Sequence, residues 1–518
     1  MPIELSLTLS PRQASEEPLL KAQVAEKLNI SVAEVTGVRI IRKSIDARGR
    51  QIKVNLGLSV FVNEAVPTHT YEPLQLKNVA LAEPVVIVGA GPAGLFAALR
   101  LIEHGFRPII LERGKEVSAR KRDIATINRN LGVDPDSNYA FGEGGAGTFS
   151  DGKLYTRSKK RGDISSVLHV FHQFGAQDSI LYDAHPHIGT NVLPRVVTAM
   201  RQAIIDAGGA VFFGKRVDDL LVSGNHITGV ACAGEVFSAK AVILATGHSA
   251  RDIYHLLYNK GIALEAKPFA MGVRVEHPQP LIDSIQYHMP TRDEYLPAAS
   301  YSLVQQVEER GVYSFCMCPG GFIVPAASSP GEVVVNGMSP SERNSKYANA
   351  GMAVEIRVED LLSYKGHGVL GGLIMQSQLE KKAFQYGGSG QVAPAQRLAD
   401  FVDGKVSNTL PSCSYHPGLT SSPMNEWLPQ HIGKRLREGF KAFDGKMHGF
   451  LTNEALIVGV ESRTSSPVRI PRDENTFMHI SLEGLFPCGE GAGYAGGITS
   501  SAMDGQVCAD AAQRWLSR

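Results

Sequence analysis

The sequence predicts an α/β fold: a parallel sheet assembled from separated stretches of chain, a mixed α/β domain inserted between them, and a small α+β unit in front. Three observations predict it. Residues 83–114, EPVVIVGAGPAGLFAALRLIEHGFRPIILERG, read as strand, glycine turn, helix and second strand. Residues 235–252, EVFSAKAVILATGHSARD, are a further apolar run ending in a polar turn that contains glycine. Residues 485–516, LFPCGEGAGYAGGITSSAMDGQVCADAAQRWL, read as strand, glycine loop and final helix.

The first of these is a βαβ unit with a Rossmann-like dinucleotide fingerprint in its turn. The apolar run ends in Gly89-x-Gly91-x-x-Gly94. Gly89 permits the tight turn, Gly91 lets backbone approach a pyrophosphate, and Gly94 lets helix and strand pack closely. The helix N-terminus adds free N–H groups and the positive end of its dipole. Glu112 lies 21 residues beyond Gly91, where an acid can reach ribose hydroxyls. Two other stretches share the glycine spacing. Gly142-x-Gly144-x-x-Gly147 follows no apolar strand and precedes no helix. Gly491-x-Gly493-x-x-Gly496 has a strand and a helix, but the sequence ends at residue 518, before a second strand and acid could follow. The expectation is one complete dinucleotide domain.

Composition narrows the class. At 518 residues the chain has room for two to four domains. Its net charge of +1 supplies no field for nucleic acid or an anionic membrane, and no apolar run reaches the length of a span. The start, MPIELSLTLSPRQ, lacks the basic and apolar regions of a secretory signal. Six cysteines in so long a chain are no disulfide framework, and with that start they predict a cytoplasmic protein. No set of residues has metal-ligand spacing, so no metal is expected.

In chain order, residues 1–65 form a small N-terminal domain. IELSLTL reads as a strand, Ser15 as the cap of a helix through Leu28, and VTGVRIIRKSI and QIKVNLGLSVFV as two strands joined by DARGR. A ferredoxin-like α+β unit is expected. Arg39, Arg42, Lys43, Arg48 and Arg50 cluster on it, either as a solvated edge or as a docking surface for an acidic protein partner. Residues 66–83 read as a linker packed onto the next domain. Residues 84–264 form the main part of the nucleotide-binding domain, 265–455 a substrate or cap domain, and 456–518 the C-terminal part of the nucleotide-binding domain. The basic runs ARKR (119–122) and RSKKR (157–161) read as solvated faces.

These motifs carry a family resemblance. GAGPAG with ILERG, the ILATG strand end and CGEGAGYAGGITSSAMDG resemble FAD-dependent oxidoreductases of the glutathione-reductase-like superfamily. FGEGGAGTFSDGKL, HPHIGT, CMCPGG, VNGMS, ESRTSSPVRI and GYAGGITSSAMDG resemble a group of uncharacterised bacterial FAD-dependent dehydrogenases over most of residues 84–518. The resemblance implies a Rossmann-like FAD-binding domain of discontinuous segments, FAD held non-covalently, and a substrate that the group does not define. Gly89, Gly91, Pro92, Ala93 and Gly94 then cradle the pyrophosphate, and Glu112 and Arg113 bracket the adenosine ribose. The loop with Gly145, Gly147, Thr148, Ser150 and Lys153 runs past pyrophosphate and flavin, or else is a surface hairpin. Val217 pairs its backbone with the adenine, and Thr246 and Gly247 end the strand that passes the cofactor. Gly489 and Glu490 stand where the superfamily usually has Gly-Asp at the ribityl chain, with a longer side chain here. Gly496, Gly497, Ile498 and Ser500 open the last helix, whose N-terminus would face the flavin pyrimidine and favour the negative charge that reduction places there.

Four residues are candidates for chemistry. His248, just past the ILATG strand, is a general acid/base near flavin N5 or a hydrogen-bonded structural histidine. Cys316 and Cys318 are a dithiol, a non-redox wall of the flavin site, or buried core cysteines. In a regular strand their Cα atoms would be roughly 6.5 Å apart, at the outer edge for a disulfide. Arg463 anchors an anionic substrate, or belongs to a surface loop or an internal ion pair. The expected function is an FAD-dependent oxidoreductase that moves hydride between flavin N5 and a small-molecule substrate, or takes it from NAD(P)H bound transiently in the same cleft. A flavin monooxygenase and a flavin-loaded regulatory protein, with residues 1–65 as its interaction module, are the alternatives.

Overall fold

In the computed structural model, residues 2–67, 71–156 and 162–518 are described. Five parallel strands form the sheet around the glycine turn, in the order Leu485–Pro487, Val242–Leu244, Pro84–Val88, Arg107–Leu111, Ala210–Phe212. Leu485–Pro487, Val242–Leu244 and Pro84–Val88 are apolar without alternation because both of their faces are covered. Val85 and Ile87 pack with the fingerprint helix Pro92–His104 and the terminal helix Ile498–Leu516. Val86 and Val88 face a three-stranded antiparallel sheet (Asp219–Ser223, His226–Cys232, Glu235–Ser238) and the helix Arg251–Asn259. The two long helices lie in backbone contact, since a Cβ on Gly505 would stand 2.1 Å from the Ala93 carbonyl oxygen.

The chain leaves this domain through Glu265–Ala266 and returns through Val468–Arg469, and these two stretches pair with each other. Between them lies a seven-stranded mixed sheet in the order Val304–Val307, Arg310–Cys318, Tyr347–Ile356, Phe269–Pro278, Leu456–Glu461, Ala393–Arg397, Leu419–Ser421. Leu456–Glu461 is an interior strand here, bonded to Phe269–Pro278 on one side and Ala393–Arg397 on the other. The inserted domain therefore runs past the expected boundary at 455/456. Ile432, Leu436, Phe440 and Phe443, spaced as one face of the helix Gln430–Lys446, are buried in its core.

The N-terminal unit differs from its expectation. Its strands lie in the order Ile3–Leu9, Lys53–Val62, Val35–Asp46, all antiparallel, and among the described residues no second helix–strand pair joins this sheet to complete a ferredoxin-like unit. Ser10, not Ser15, caps the first helix, through a reciprocal box with Gln13. Glu16 then breaks the helical run before Glu17–Leu28. The unit is built into the body: Lys43 N–H donates to the Tyr182 carbonyl, and Ala184 N–H donates to that of Lys43. Two cations of its basic cluster have internal partners, Arg39 at the Pro67 carbonyl and Arg48 at Asp46. Between residues 71 and 83, Leu74 N–H donates to the Gln173 side chain and Val79 N–H to the Ala207 carbonyl. The run 157–161 lies outside the described residues. Among the described residues no helix is long and apolar enough to cross a membrane.

Candidate functional site

A cleft of about 380 Å³ opens where the parallel sheet meets the inserted domain. Its floor is the fingerprint turn, with Gly89, Gly91, Pro92 and Ala93 on the surface. Gly94 lies beneath and does what the fingerprint requires of it: a Cβ there would stand 2.0 Å from the Gly89 carbonyl oxygen. Gly145, Gly147, Ser150 and Lys153 line one side, and Glu112, Arg113 and Val217 one end. Thr246, Gly247 and Glu490 line the opposite side, and Gly496, Gly497 and Ile498 the mouth of the terminal helix.

Three expected contacts are not made. Thr148 is buried, its hydroxyl donating to the Glu143 carbonyl at 2.8 Å, because the turn Gly145–Gly147 rotates it inward. Ser500 closes the glycine loop instead of facing the cleft: its hydroxyl donates to the Gly497 carbonyl and accepts from Gly496 N–H. Ser501, one turn on from Gly497 and Ile498, reaches the cleft in its place. Gly489 turns its N–H away, onto Asp504 at 2.7 Å.

Glu112 faces the cleft, but its carboxylate is first an architectural tie. It accepts from Ala90 N–H at 2.8 Å and from Gly114 and Gly142 N–H at 2.9 Å each, binding the fingerprint turn to the neighbouring loop. Arg113 is fixed between Asp136 and Asp252 and lies over the Phe141 ring at 4.1 Å. Arg120, expected in a solvated run, is fully buried. Its guanidinium donates to the carbonyls of Asn138, Tyr139 and Glu143, and so shapes the loop that Glu112 holds. Its spacing with Val117, Ile124 and Ile127 on the helix Val117–Asn128 was the available signal: these are the helix's buried positions.

The wall from the inserted domain is built from charge. Arg463 lines the cleft but is spent internally. It bonds both oxygens of Glu380 at 3.0 Å, Glu332 at 3.1 Å and the Ser328 hydroxyl at 2.6 Å. Arg251 joins the same two acids. Burial pushes Glu380 up, but the charges of Arg251 and Arg463 outweigh it and hold the carboxyl far below the usual carboxylate range. The anion-anchor role is thus corrected to an internal ion pair, because four of the five guanidinium N–H donors are spent on Glu380, Glu332 and Ser328. His248 lies in the cleft with Nε2 at 3.0 Å from the Arg463 carbonyl and Nδ1 at 3.4 Å from Glu490. Cys316 faces the cleft; Cys318 is buried behind it.

Asn336, Asp151 and Cys488 also line the cleft; they lie within VNGMS, FGEGGAGTFSDGKL and CGEGAGYAGGITSSAMDG, motifs that carry the resemblance without marking these three residues. Cys488, Asp504 and Cys508 bring their ligand atoms within 4.8 Å of one another. Arg472 already stands in the place of a cation there, donating to Asp504 at 2.6 Å and to Cys508 Sγ at 3.3 Å.

The cleft fits FAD on two counts. The fingerprint helix and the terminal helix both begin on it, capped by Gly91 and Gly497 with no side-chain cap, so both N-termini keep donors free for a ligand. Between them the floor is bare glycine backbone, with room at Gly91 where the nearest atom to a Cβ would be 3.9 Å away. Two positive helix ends on one cleft suit a molecule with a pyrophosphate near one and an electron-accepting ring near the other.

The comparisons with known proteins agree. Residues 82–132 match an FAD binding domain, 268–464 the FAD-dependent protein, C-terminal domain-like family, and 1–61 a domain of unknown function. An uncharacterised protein of Clostridium beijerinckii is 38% identical over 506 residues, 94% of each chain. The chain belongs with it to one uncharacterised family of FAD-dependent proteins. FAD is the cofactor, and the protein is an FAD-dependent oxidoreductase. A thiamine thiazole synthase of Methanococcus maripaludis is 28% identical over 195 residues, 35% of this chain and 62% of its own. Among solved structures, a geranylgeranyl bacteriochlorophyll reductase-like protein from Thermoplasma acidophilum is 13% identical, covering 84% of this chain and 79% of its own with a TM-score of 0.36.

Proposed function

We propose that the protein is a dehydrogenase or reductase in which hydride passes between a small molecule in the cleft and flavin N5, while His248 and Glu490 handle the accompanying proton. Bound FAD supplies two-electron redox chemistry at its ring. The observation that carries the reading is the placing of His248. Each ring nitrogen faces an acceptor, the Arg463 carbonyl at 3.0 Å and the Glu490 carboxylate at 3.4 Å. An imidazole held through one nitrogen, with a carboxylate beside the other, is placed to take or give a proton at the cleft wall. The Glu380–Arg463 ion pair holds the carbonyl that orients the ring. The terminal helix directs its N-terminus at the cleft, which favours the charge of the reduced ring.

A place within the glutathione-reductase-like superfamily is supported by the sheet order, with the fingerprint strand central, and by the return of the C-terminal strand and helix to the same cleft. NAD(P)H, as an electron donor, would visit the cleft transiently, because the chain carries one complete dinucleotide fingerprint.

The test is anaerobic mixing of the flavin-loaded protein with NADH, NADPH and a metabolite library, followed at the flavin band. Bleaching by at least one donor is expected, and His248→Gln should slow it by about 10²–10⁴-fold while FAD stays bound. Reduction by no donor, or an undiminished rate in the variant across the pH range, would overturn the reading.

A further inference from the structure

The inserted-domain wall holds a second feature that regular strand geometry does not explain. Arg310–Cys318 pairs antiparallel with Tyr347–Ile356 as far as Phe315, opposite Gly351, and pairing resumes at Cys318, opposite Asn349. Three steps on one strand match two on the other, so one residue bulges out. Cys316 takes a φ of +45°, a conformation that L side chains rarely adopt. The bulge puts Cys316 on the cleft and Cys318 directly behind it. Cys318 Sγ lies 3.3 Å from the Cys316 carbonyl oxygen, to which its thiol donates.

Buried Arg274 pins this arrangement. Its Nη2 donates to the Cys316 carbonyl at 2.8 Å and reaches Cys318 Sγ at 3.5 Å, while its Nε holds the Asn349 side chain at 2.7 Å. Glu461 anchors the far side of the guanidinium at 2.9 Å. Gly337 leaves the space for it, since a Cβ there would stand 2.0 Å from Nη2. A strained backbone, held by a fully buried arginine at a residue facing a cofactor cleft, points to function.

We propose that Cys316 and Cys318 are a redox-active dithiol that closes to a disulfide as it passes an electron pair to FAD in the cleft, and reopens when the pair returns. The proposal rests on the flavin occupying the cleft as read above. In the forward direction the S–S bond forms and the Cys318 S–H bond breaks. Cys316 thiolate and Cys318 thiol together lose two electrons and one proton. The oxidised cofactor gains those electrons, that proton and one more from solvent.

The electrostatics divide the roles. The neighbouring Cys318 thiol, then the charges of Lys153 and Arg274, hold the Cys316 thiol well below its ordinary range. The neighbouring Cys316 sulfur, together with burial, pushes the Cys318 thiol up. The cleft-facing sulfur is therefore the thiolate, and the buried one is its partner thiol.

The experiment treats flavin-loaded protein with diamide, desalts it and titrates it anaerobically with dithionite, with thiols mapped by alkylation and mass spectrometry at each stage. Expected are two electron pairs per flavin in the wild type and one in Cys316→Ser and Cys318→Ser. The map should show a 316–318 peptide lighter by two hydrogens that regains both alkylation sites on reduction. Light-reduced flavin in the disulfide form should regain its absorbance in the dark without oxygen. One electron pair in the wild type, both cysteines alkylated after diamide, or a band that stays bleached, overturns the proposal. The mapping uses the wild-type chain, so it decides even if the serine variants fail to fold. A protein that takes up no FAD fails the earlier reading and this one together; flavin-loaded protein that forms no such disulfide fails this one alone.

Discussion

The two walls of the cleft are built on opposite principles. The cofactor side is backbone: glycines, two uncapped helix starts, and a buried Glu112 and Arg120 whose task is to hold loops in place. The inserted-domain side is side chains: a lattice of Arg251, Arg463, Glu332 and Glu380, and the Arg274-pinned cysteine bulge. A backbone cradle recognises what all molecules of one cofactor share, and tolerates little change of shape. A side-chain wall sets which reaction is run, and responds to charge and pH. The contrast predicts that the first wall breaks sterically and the second electrostatically.

The largest effect expected is on the cradle. Gly94→Val would drive a branched side chain into the Gly89 carbonyl, where even a Cβ would stand at 2.0 Å, and the neighbour is backbone that cannot swing aside. The variant should purify colourless, with FAD uptake lost, as read by the flavin band after reconstitution. Yellow protein with near-normal uptake would contradict the account of the floor.

Next comes the charged wall. Glu380→Gln keeps the shape and removes the charge that pairs Arg251 and Arg463. Breaking a buried pair from one side costs about 3–5 kcal/mol, so a large drop in the urea midpoint is expected. The Arg463 carbonyl that orients His248 should also shift, and flavin reduction should slow even at temperatures where the variant is folded. Unchanged reduction kinetics would detach the lattice from the site.

The contrast also explains what the sequence could and could not reveal. The cradle is local: Gly89, Gly91, Gly94 and Glu112 span one βαβ unit, and their spacing is their chemistry. Its floor was readable from it, but its C-terminal boundary was not, because Leu456–Glu461 belongs to the inserted sheet. The opposite wall joins positions 251, 332, 380 and 463, and no periodicity links residues that come from two separate helices, a loop and the stretch just after the strand Leu456–Glu461. Arg463 was visible as a cation, but its partners were not, so its role was open. Thr148 and Ser500 failed for a finer reason. They sit in the right loops, but one step of turn or helix phase decides which hydroxyl faces out. The cysteine bulge was invisible because strand alternation assumes a regular register, which Cys316 breaks.

Arg120 sharpens the comparison, being a charged residue within the backbone cradle. Arg120→Met fits the buried helix face but leaves the Asn138 and Tyr139 carbonyls without their donor, while Thr148 still serves that of Glu143. A loss of about 3 kcal/mol is expected, on the scale of unsatisfied buried groups. FAD should bind more weakly, because the loop 138–143 loosens beside Glu112. Equal affinity with lower stability would make Arg120 a core residue only.

The smallest effect separates the two regions by pH. His277 lies on the strand Phe269–Pro278 in the inserted domain, with Nε2–H on the Phe450 carbonyl at 2.8 Å and the ring against Phe450. Burial pushes its imidazole down to about 4, so the folded chain keeps it neutral. The unfolded chain protonates it near 6.5, and between these values it binds more protons than the folded chain. Stability from this group is thus complete above about pH 6.5 and is lost as pH falls toward 4, with about 2 kcal/mol gone by pH 5. Glu380 is depressed much further and loses its contribution only at lower pH, so His277 acts first. His277→Gln, which can still donate to Phe450, should flatten that slope. The chain's two tryptophans make the test regional: Trp427 is buried in the inserted domain and Trp515 sits on the terminal helix. With Trp515→Phe, fluorescence reports the inserted domain alone. Buried Glu461 in the same domain, pushed up to about 7, pulls the other way, so the expected outcome is a difference: between pH 7 and 5 the urea midpoint should drop relative to that of the glutamine variant. Equal slopes in the two chains would place the acid sensitivity elsewhere.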